Sequence, residues 1–302
     1  MTTNLFQRAT KTQSKLRLAL YGVSGSGKTY SALAIATGLG GRIAVIDTER
    51  GSASKYAGRF EFDVLDMQPP FSPAAYVNAI KAAEAAGYDI LVIDSLTHAW
   101  SGTGGALEMV DDAAKRSGSG NSYVAWRNVT PQHNALIDAI TFSRCHIIAT
   151  MRSKTEYVIE KDEKGKSAPR KVGMSPVQRD GMEYEFDIVA EMNVENEMVV
   201  QKSRCEALSG KVIAKPNGQV AGTLRAWLTD GVPQREMTPA ERWHRWASTV
   251  VVNANTKESV KADFERAVVE LDLESQKPVF DSLKSAVDWI KAQTAPAQES
   301  ES

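Results

Sequence analysis

One glycine-rich octapeptide limits the possible folds of this chain more than any other feature. It reads GVSGSGKT over residues 22–29 and fits the pattern G-x-x-x-x-G-K-[S/T]. The apolar run 16–21 before it predicts a buried strand, and the alanine-rich stretch 29–39 after it predicts a helix. A glycine turn between a strand and a helix N-terminus binds phosphate groups, so we expect an α/β nucleotide-binding fold.

The octapeptide also predicts which groups of a nucleotide are held. Its backbone amides would surround phosphate oxygens, Lys28 would contact the β- and γ-phosphates, and the Thr29 hydroxyl would bind Mg²⁺. ATP and Mg²⁺ are therefore the expected cofactors. The residues expected at the nucleotide are Gly22, Val23, Ser24, Gly25, Ser26, Gly27, Lys28, Thr29 and Tyr30.

Two acidic residues lie at the ends of other predicted strands. Asp94 ends the apolar run 88–94 and would support Mg²⁺ beside Thr29, unless it only caps the next turn. Glu49 follows the predicted strand 42–47 and would lie over the γ-phosphate if that strand neighbours the one ending at Asp94. A carboxylate there would orient or deprotonate the attacking water, and the alternative is a solvated loop residue.

Strand and helix patterns alternate over residues 1–150. Further segments are predicted as a strand over 62–65, a helix over 73–86 with Ser72 as N-cap, helices over 105–114 and 131–142, and a strand over 145–151. This alternation predicts the α/β class, with a mainly parallel sheet flanked by helices. Residues 155–230 hold shorter β-rich pieces with turn signals at 162–165 and 216–218, which predicts an antiparallel extension.

The chain is expected to have four parts. An N-terminal arm spans 1–15, the α/β core spans 16–232, and a polar tail spans 294–302. Between core and tail, apolar side chains recur at helical spacing over 237–293, which predicts a small helical bundle.

Composition excludes several classes of protein. The 36 Lys and Arg residues against 37 Asp and Glu leave a net charge of −1, so any contact with nucleic acid must rest on a local basic patch. Two cysteines cannot form a disulfide framework, which favours a cytoplasmic location. No apolar run approaches the roughly 20 residues that span a bilayer, so no membrane partner is expected.

These motifs together resemble those of the RecA/Rad recombinase branch of P-loop ATPases. The run 43–49, IAVIDTE, resembles the strand of that branch that ends in a catalytic glutamate, and the run 93–95, IDS, resembles its second acidic motif. The resemblance implies a RecA-like core in which Lys28, Glu49 and Asp94 are the catalytic residues.

Other positions extend the resemblance. Tyr56 stands where RecA has an adenine-stacking tyrosine. Thr150 and Arg152 follow a buried strand where RecA carries its γ-phosphate sensor, although no glutamine is present here. Lys202 and Arg204 resemble two cations that reach a neighbour's γ-phosphate in RecA filaments, but alternate cations on an edge strand are often solvated. Arg179 is a weaker candidate for the same role.

The resemblance covers residues 15–230. The small core and the run 176–187 look most like the phage-encoded RecA-like ATPases, whose members act in single-strand annealing and recombination. It implies ATP at protomer interfaces of a filament or ring. The segment Phe6 to Ala9 resembles the self-assembly hook of the Rad recombinases, with an unstructured arm as the alternative.

Two segments have the composition of contacts for single-stranded DNA, with cations for phosphates and aromatic rings for unpaired bases. In the first, 115–127, the candidates are Lys115, Arg116, Tyr123, Trp126 and Arg127. The second, 152–171, has seven Lys and Arg against four Asp and Glu, and its candidates are Lys154, Lys161, Lys164, Lys166, Arg170 and Lys171. The alternatives are a flexible connector with Trp126 packed on the core and a solvated hairpin tip.

The motifs and the resemblance together therefore imply a DNA-dependent ATPase that acts on single-stranded DNA in recombination or annealing. Expected partners are single-stranded DNA, further copies of this chain, and a single-strand DNA-binding protein or another recombination protein. Two alternatives stay open: a helicase or helicase loader on the same core, and a nucleotide-gated DNA-binding mediator in which hydrolysis is incidental.

Overall fold

The computed structural model describes residues 8–116, 122–161 and 167–233. The chain divides into two units, residues 1–233 and 234–302, and all described residues belong to the first. The predicted helical bundle over 237–293, the polar tail over 294–302 and Phe6 lie outside the described residues.

The described residues form a sheet of mainly parallel strands with an antiparallel extension. The strands are β1 (Arg17–Gly22), β2 (Ile43–Asp47), β3 (Asp63–Asp66), β4 (Ile90–Asp94), β5 (His146–Lys161), β6 (Ser167–Pro176), β7 (Ile188–Met192), β8 (Glu197–Ser203) and β9 (Val212–Ala214). Their order is β3-β2-β4-β5-β1-β7-β8-β9, and β6 pairs with β5. Strands β3 to β7 along this path are parallel, whereas β8, β9 and the β5–β6 hairpin are antiparallel. The predicted fold class is confirmed.

Helices cover both faces of this sheet. They are α1 (Lys28–Leu39), α2 (Pro73–Ala85), α3 (His98–Ser101), α4 (Ala106–Arg116), α5 (Ser122–Thr141) and α6 (Gly218–Thr229). On β1, Leu18 and Leu20 belong to an apolar cluster with α1 and α6, while Ala19 and Tyr21 belong to one with α2 and α5. Successive side chains of a strand point to opposite faces, so a central strand buried on both faces reads as a continuous apolar run.

Helix α2 begins where the sequence predicts. The Ser72 hydroxyl accepts a hydrogen bond from the amide of Ala75, and Pro73 occupies the first turn. This is the N-cap arrangement that satisfies an otherwise unpaired helical amide.

Helix α5 differs from its prediction because it begins at Ser122 rather than near Pro131. Ala125 and Val129 pack in a buried cluster with residues of α4, and this packing outweighs the hydrogen bond that an internal proline removes. Three residues predicted to lie in a DNA-binding loop are therefore helical: Tyr123, Trp126 and Arg127.

Helix α6 lies in a region for which the sequence predicts β-rich pieces. The turn signal at 216–218 is a helix start, because the Asn217 side chain accepts a hydrogen bond from the amide of Gln219. Val220, Ala221 and Leu224 are buried on one face of the helix, which is the helical period that the β-rich interpretation overlooked.

Part of the predicted arm is bound to the core. The amides of Gln13 and Ser14 donate to the carbonyls of Val232 and Leu228, and Lys11 forms an ion pair of 2.6 Å with Asp230. Residues 11–14 therefore lie along the end of α6.

Candidate functional site

The register of the parallel strands brings the predicted site residues to one edge of the sheet. Gly22 at the end of β1 lies beside Arg152 of β5 and Met192 of β7. Asp47 at the end of β2 lies beside Asp94 at the end of β4. Strands β2 and β4 are thus neighbours, which is the condition set for Glu49 to lie near the phosphate loop.

The glycine loop adopts backbone angles that require glycine. Gly25 and Gly27 have φ values of 79° and 81°, in the left-handed region that side chains disfavour. A Cβ on Gly22 would clash with the carbonyl oxygen of Met192, so β1 and β7 can approach this closely only without a side chain there. The fully buried Ser26 donates to the carbonyl of Val23 and holds the loop closed.

The Lys28 side chain folds back onto the glycine loop. Its Nζ donates to the Val23 carbonyl at 2.7 Å. Burial lowers its pKa, and the charges of Asp94 and Glu49 partly offset this effect. The ammonium group therefore lies within electrostatic reach of both predicted acidic residues.

Asp94 is buried and bound by two hydroxyl groups. Thr29 Oγ1 donates to one carboxylate oxygen at 2.7 Å, and Thr150 Oγ1 donates to the other. Burial raises the pKa of Asp94, while these two hydrogen bonds lower it by less. A hydroxyl and a carboxylate oxygen side by side are the hard oxygen ligands that Mg²⁺ prefers, so the residues fit the expected cation.

The Glu49 carboxylate is held by side chains from two other segments. Arg152 Nε donates to Oε1 at 3.1 Å and Nη2 donates to Oε2 at 2.6 Å. Ser95 Oγ donates to Oε1 at 3.2 Å, and His98 Nε2 lies 4.0 Å from the same oxygen. Burial raises the pKa of Glu49, but the hydrogen bonds and charge of Arg152 outweigh it and leave the pKa below its usual value.

The turn that carries Glu49 is fixed by its neighbours. The buried Asp47 carboxylate accepts hydrogen bonds from the amides of Glu49 and Ala53, at 2.7 and 2.9 Å. Thr48 Oγ1 accepts from the Ser95 amide at 2.9 Å and lies 2.7 Å from His98 Nδ1. Glu49 is thereby directed back toward β4 and β5 rather than into solvent.

Four further residues lie at this edge that the sequence does not predict as site residues: Thr48, Ser95, His98 and Asn196. Asn196 lies in the turn between β7 and β8, with its amide nitrogen 3.4 Å from the Gly25 carbonyl. Ser95 and His98 could have been found from their spacing after Asp94, but the contact with Asn196 joins residues 171 positions apart and leaves no local signal.

Tyr30 and Tyr56 lie together at the start of α1. Their ring centroids are 5.8 Å apart in an edge-to-face arrangement, and Phe60 packs edge-on against Tyr30 at 5.3 Å. The Arg59 guanidinium lies over the Tyr30 ring. The adenine-stacking role of Tyr56 stays a prediction, and the structure adds that it belongs to an aromatic cluster.

Lys202 and Arg204 both bind groups of their own chain. Lys202 Nζ donates to the carbonyls of Glu183, Tyr184 and Phe186 at 2.7–3.1 Å, and Arg204 is paired with Asp187 at 3.0 Å. A role at a neighbour's phosphate stays a prediction, and it would require Lys202 to give up three hydrogen bonds.

A groove with aromatic walls lies beside α3 and α5 and encloses about 720 Å³. Trp100 and Trp126 are stacked with centroids 5.6 Å apart, and the Arg179 guanidinium lies 5.5 Å from the Trp126 ring. Tyr123 is 81% exposed at the groove. The lining residues are Trp100, Tyr123, Trp126, Arg127, Thr130, Pro131 and Arg179.

The remaining candidates for DNA contact are spread over two places. Lys115 and Arg116 are exposed at the end of α4, where Asp112 interacts with both. Lys154 is exposed on β5. On the hairpin, Lys161 ends β5, and Arg170 and Lys171 lie on β6. Lys164 and Lys166 lie outside the described residues.

Comparison with known proteins places this site in a family. The AAA domain family matches residues 14–230, which is most of the chain. The chain belongs to the AAA domain family. Membership supports a P-loop ATPase that binds ATP, usually with Mg²⁺. In the ranges that the structure describes, no helix is both long and apolar enough to cross a membrane.

Other comparisons add less. No curated protein matches the chain. Among solved structures, the crystal structure of the RadB recombinase is similar with a TM-score of 0.40 and 16% identity, over 67% of this chain and 86% of that one.

Proposed function

We propose that this AAA domain protein hydrolyses ATP in response to single-stranded DNA, in recombination or annealing, with the nucleotide at the contact between protomers of a filament or ring. The convergence of Lys28, Glu49 and Asp94 at one sheet edge supports the ATPase part most directly. The proposal includes a phage origin for this recombination function. Its proposed partners are single-stranded DNA, further copies of the chain and other recombination proteins.

In the proposed reaction a water oxygen attacks the γ-phosphorus, and the bond to the bridging oxygen breaks to release ADP and phosphate. Glu49 orients this water and accepts its proton, and Lys28 neutralises charge that develops on the phosphate oxygens. Thr29 and Asp94 would hold Mg²⁺, which supplies further charge neutralisation when it is bound.

The first test is Lys28→Ala, with Lys81→Ala on the exposed side of α2 as the matched control. We expect Lys28→Ala to abolish phosphate release and Lys81→Ala to leave it unchanged. Rates should be measured with and without oligothymidylate over a range of protein concentrations. Activity of Lys28→Ala equal to the wild type would refute the proposed site, and rates independent of DNA and concentration would refute DNA dependence.

The groove supports the DNA part of the proposal. Exposed aromatic rings stack on unpaired bases, and nearby arginines bind phosphates. We expect Tyr123→Ala to weaken binding of oligothymidylate by about tenfold. Phe142→Ala, which removes another exposed ring just past the end of α5, is the control and should bind as the wild type does. Equal affinities of the two variants for oligothymidylate would show that the DNA site is not at the groove.

One observation favours a second candidate function, the nucleotide-gated mediator. Glu49 is ion-paired with Arg152 through both carboxylate oxygens, and a carboxylate whose pKa is lowered is a weaker base. ATP would then set assembly or DNA affinity while turnover is slow. A Glu49→Gln variant that anneals DNA as well as the wild type would support this second function.

A further inference from the structure

A short segment after Asp94 contacts both the Glu49 turn and the aromatic groove. In residues 95–101, Ser95 Oγ donates to Glu49, and His98 on α3 lies 2.7 Å from Thr48 Oγ1. Trp100, two residues further along α3, stacks on Trp126 in the groove. Residues two positions apart on a helix project in different directions, so α3 places one side chain at each site.

This segment is anchored in the core along its length. Leu96 and Ala99 are buried, and the Leu96 amide donates to the Thr150 carbonyl at 2.9 Å. The Tyr76 hydroxyl donates to the Ser95 carbonyl at 2.9 Å, and Gln178 Nε2 donates to the Leu96 carbonyl at 3.1 Å. A displacement of Trp100 at the groove should therefore also displace Ser95 and His98 at the Glu49 turn, because close-packed interiors resist local deformation.

His98, like Ser95, faces the Glu49 turn. Its ring stacks on Phe71 with centroids 5.1 Å apart, which fixes its plane. Burial lowers the pKa of His98, so the ring is neutral near pH 7. Nδ1 lies 2.7 Å from the Thr48 hydroxyl, and Nε2 lies 4.0 Å from Glu49 Oε1, so the ring bridges Thr48 and the Glu49 carboxylate.

Arg152 at the phosphate site and Arg179 at the groove are both hydrogen-bonded to this segment, Arg179 through Gln178. The Arg152 amide donates to Thr97 Oγ1 at 2.9 Å, and the side chain of Arg152 binds Glu49. Gln178, bound to Leu96, accepts from the amide of Arg179, whose guanidinium lies over Trp126. The segment thus contacts the residues that hold Glu49 and the residues that form the groove.

We propose that residues 95–101 couple the groove to the phosphate site, so that an unpaired base stacked in the groove changes the position of Glu49, with His98 as the positioning residue. This inference rests on the proposed function, because it needs both ATP and single-stranded DNA as ligands. Coupling between two binding sites is reciprocal, so ATP must tighten DNA binding by the same factor by which DNA tightens ATP binding.

The experiment measures this factor from both sides near pH 7.5. The dissociation constant of a non-hydrolysable ATP analogue with Mg²⁺ is determined with and without saturating oligothymidylate, and that of oligothymidylate with and without the analogue. We expect a factor of about ten in the wild type, within the usual range of coupling between sites. His98→Ala should leave each affinity within about twofold when the other ligand is absent and bring the factor close to one.

Two further variants separate positioning from damage to the fold. His98→Asn keeps a polar group near the position of Nδ1 and should restore most of the coupling. His146→Asn changes a histidine at the opposite edge of the sheet and should keep all of it. If His98→Ala does not fold, Thr48→Val, which removes the hydroxyl beside Nδ1, is expected to lose the coupling in its place.

The outcomes distinguish this inference from the proposed function. A wild type that binds both ligands with a factor of one overturns the coupling and leaves the proposed function intact. A wild type that binds neither ligand overturns the proposed function. Wild-type coupling retained in His98→Ala, or in Thr48→Val if His98→Ala does not fold, overturns the role of His98.

Discussion

The two edges of the sheet hold a buried or half-buried arginine in opposite ways. At the amino edge, Arg17 is 5% exposed, and among the described residues its guanidinium donates to four backbone carbonyls, those of Leu16, Thr141, Ser143 and Cys145. Burial lowers its pKa to about 10, so it stays charged at neutral pH. At the carboxyl edge, the half-exposed Arg152 binds the side chain of Glu49.

This contrast indicates which end of the parallel strands can respond to a ligand. Backbone carbonyls of packed strands and helix ends cannot move away, so Arg17 serves to join β1 to the segment between α5 and β5. Arg152 and Glu49 are both side chains, and each can exchange its partner for a phosphate or a water without unfolding a strand. The chemistry therefore belongs to the carboxyl edge, which is also where ligands bind in open α/β sheets.

The rate of hydrolysis at the carboxyl edge should change most. Glu49→Gln removes the group that accepts the proton, so phosphate release should fall by about 100-fold or more, while binding of ATP and the melting temperature stay close to the wild type. The control is Glu61→Gln, which changes an exposed glutamate that also follows β2 in the sequence. A large loss of stability in Glu49→Gln would show that this edge is as rigid as the other.

The next effect contrasts the two arginines directly. Arg17→Met leaves several carbonyls without donors and should lower the free energy of unfolding by about 3 kcal/mol. Arg152→Met removes a half-exposed ion pair and should cost less than about 1 kcal/mol. Urea denaturation of both variants measures the difference, and equal losses would contradict the contrast between the edges.

A third prediction concerns pH and the amino edge. His146 Nδ1 accepts a hydrogen bond from the Leu16 amide, and burial, together with Lys15 and Arg17, lowers its pKa from 6.5 to about 4. The unfolded chain therefore binds more protons between these values, and stability should be lost as the pH falls from 6.5 to 4, by about 2–3 kcal/mol. In His146→Asn this dependence should flatten, and an unchanged slope in urea denaturation would assign it to other groups.

A modest change is expected in the pH dependence of hydrolysis. Arg152 holds the pKa of Glu49 below its usual value, so Arg152→Gln should raise that pKa. Less of Glu49 is then ionised in mild acid, and the acid limb of kcat against pH should move to higher pH. If Arg152 acts only on the phosphate, kcat would instead fall by the same factor at every pH.

Local patterns predicted much of the fold and part of the site. The glycine turn, the buried strands and Ser72 each carry their signal within a few residues, and they were placed correctly. The pairing of β2 with β4 could be stated only as a condition, because strand order depends on contacts distant in sequence.

The remaining features have no local signal or a misleading one. Pro131 is typical of a helix start, and only the packing of Ala125 and Val129 on α4 shows that α5 continues through it. Two contacts depend on how β7 and β8 fold back, namely the hydrogen bonds of Lys202 and the approach of Asn196 to the glycine loop. No spacing of residues in the sequence indicates them.

Strand β5 has two halves that pair with different strands. Residues 147–152 pair with β1, and residues 153–161 pair with β6. Thr150 and Arg152 therefore take their register from β1, with one further hydrogen bond from the Val177 amide to the Arg152 carbonyl. Insertions, deletions or an inserted epitope in the outer half leave that register unchanged. A change in hairpin length is therefore compatible with an unchanged geometry of the phosphate edge.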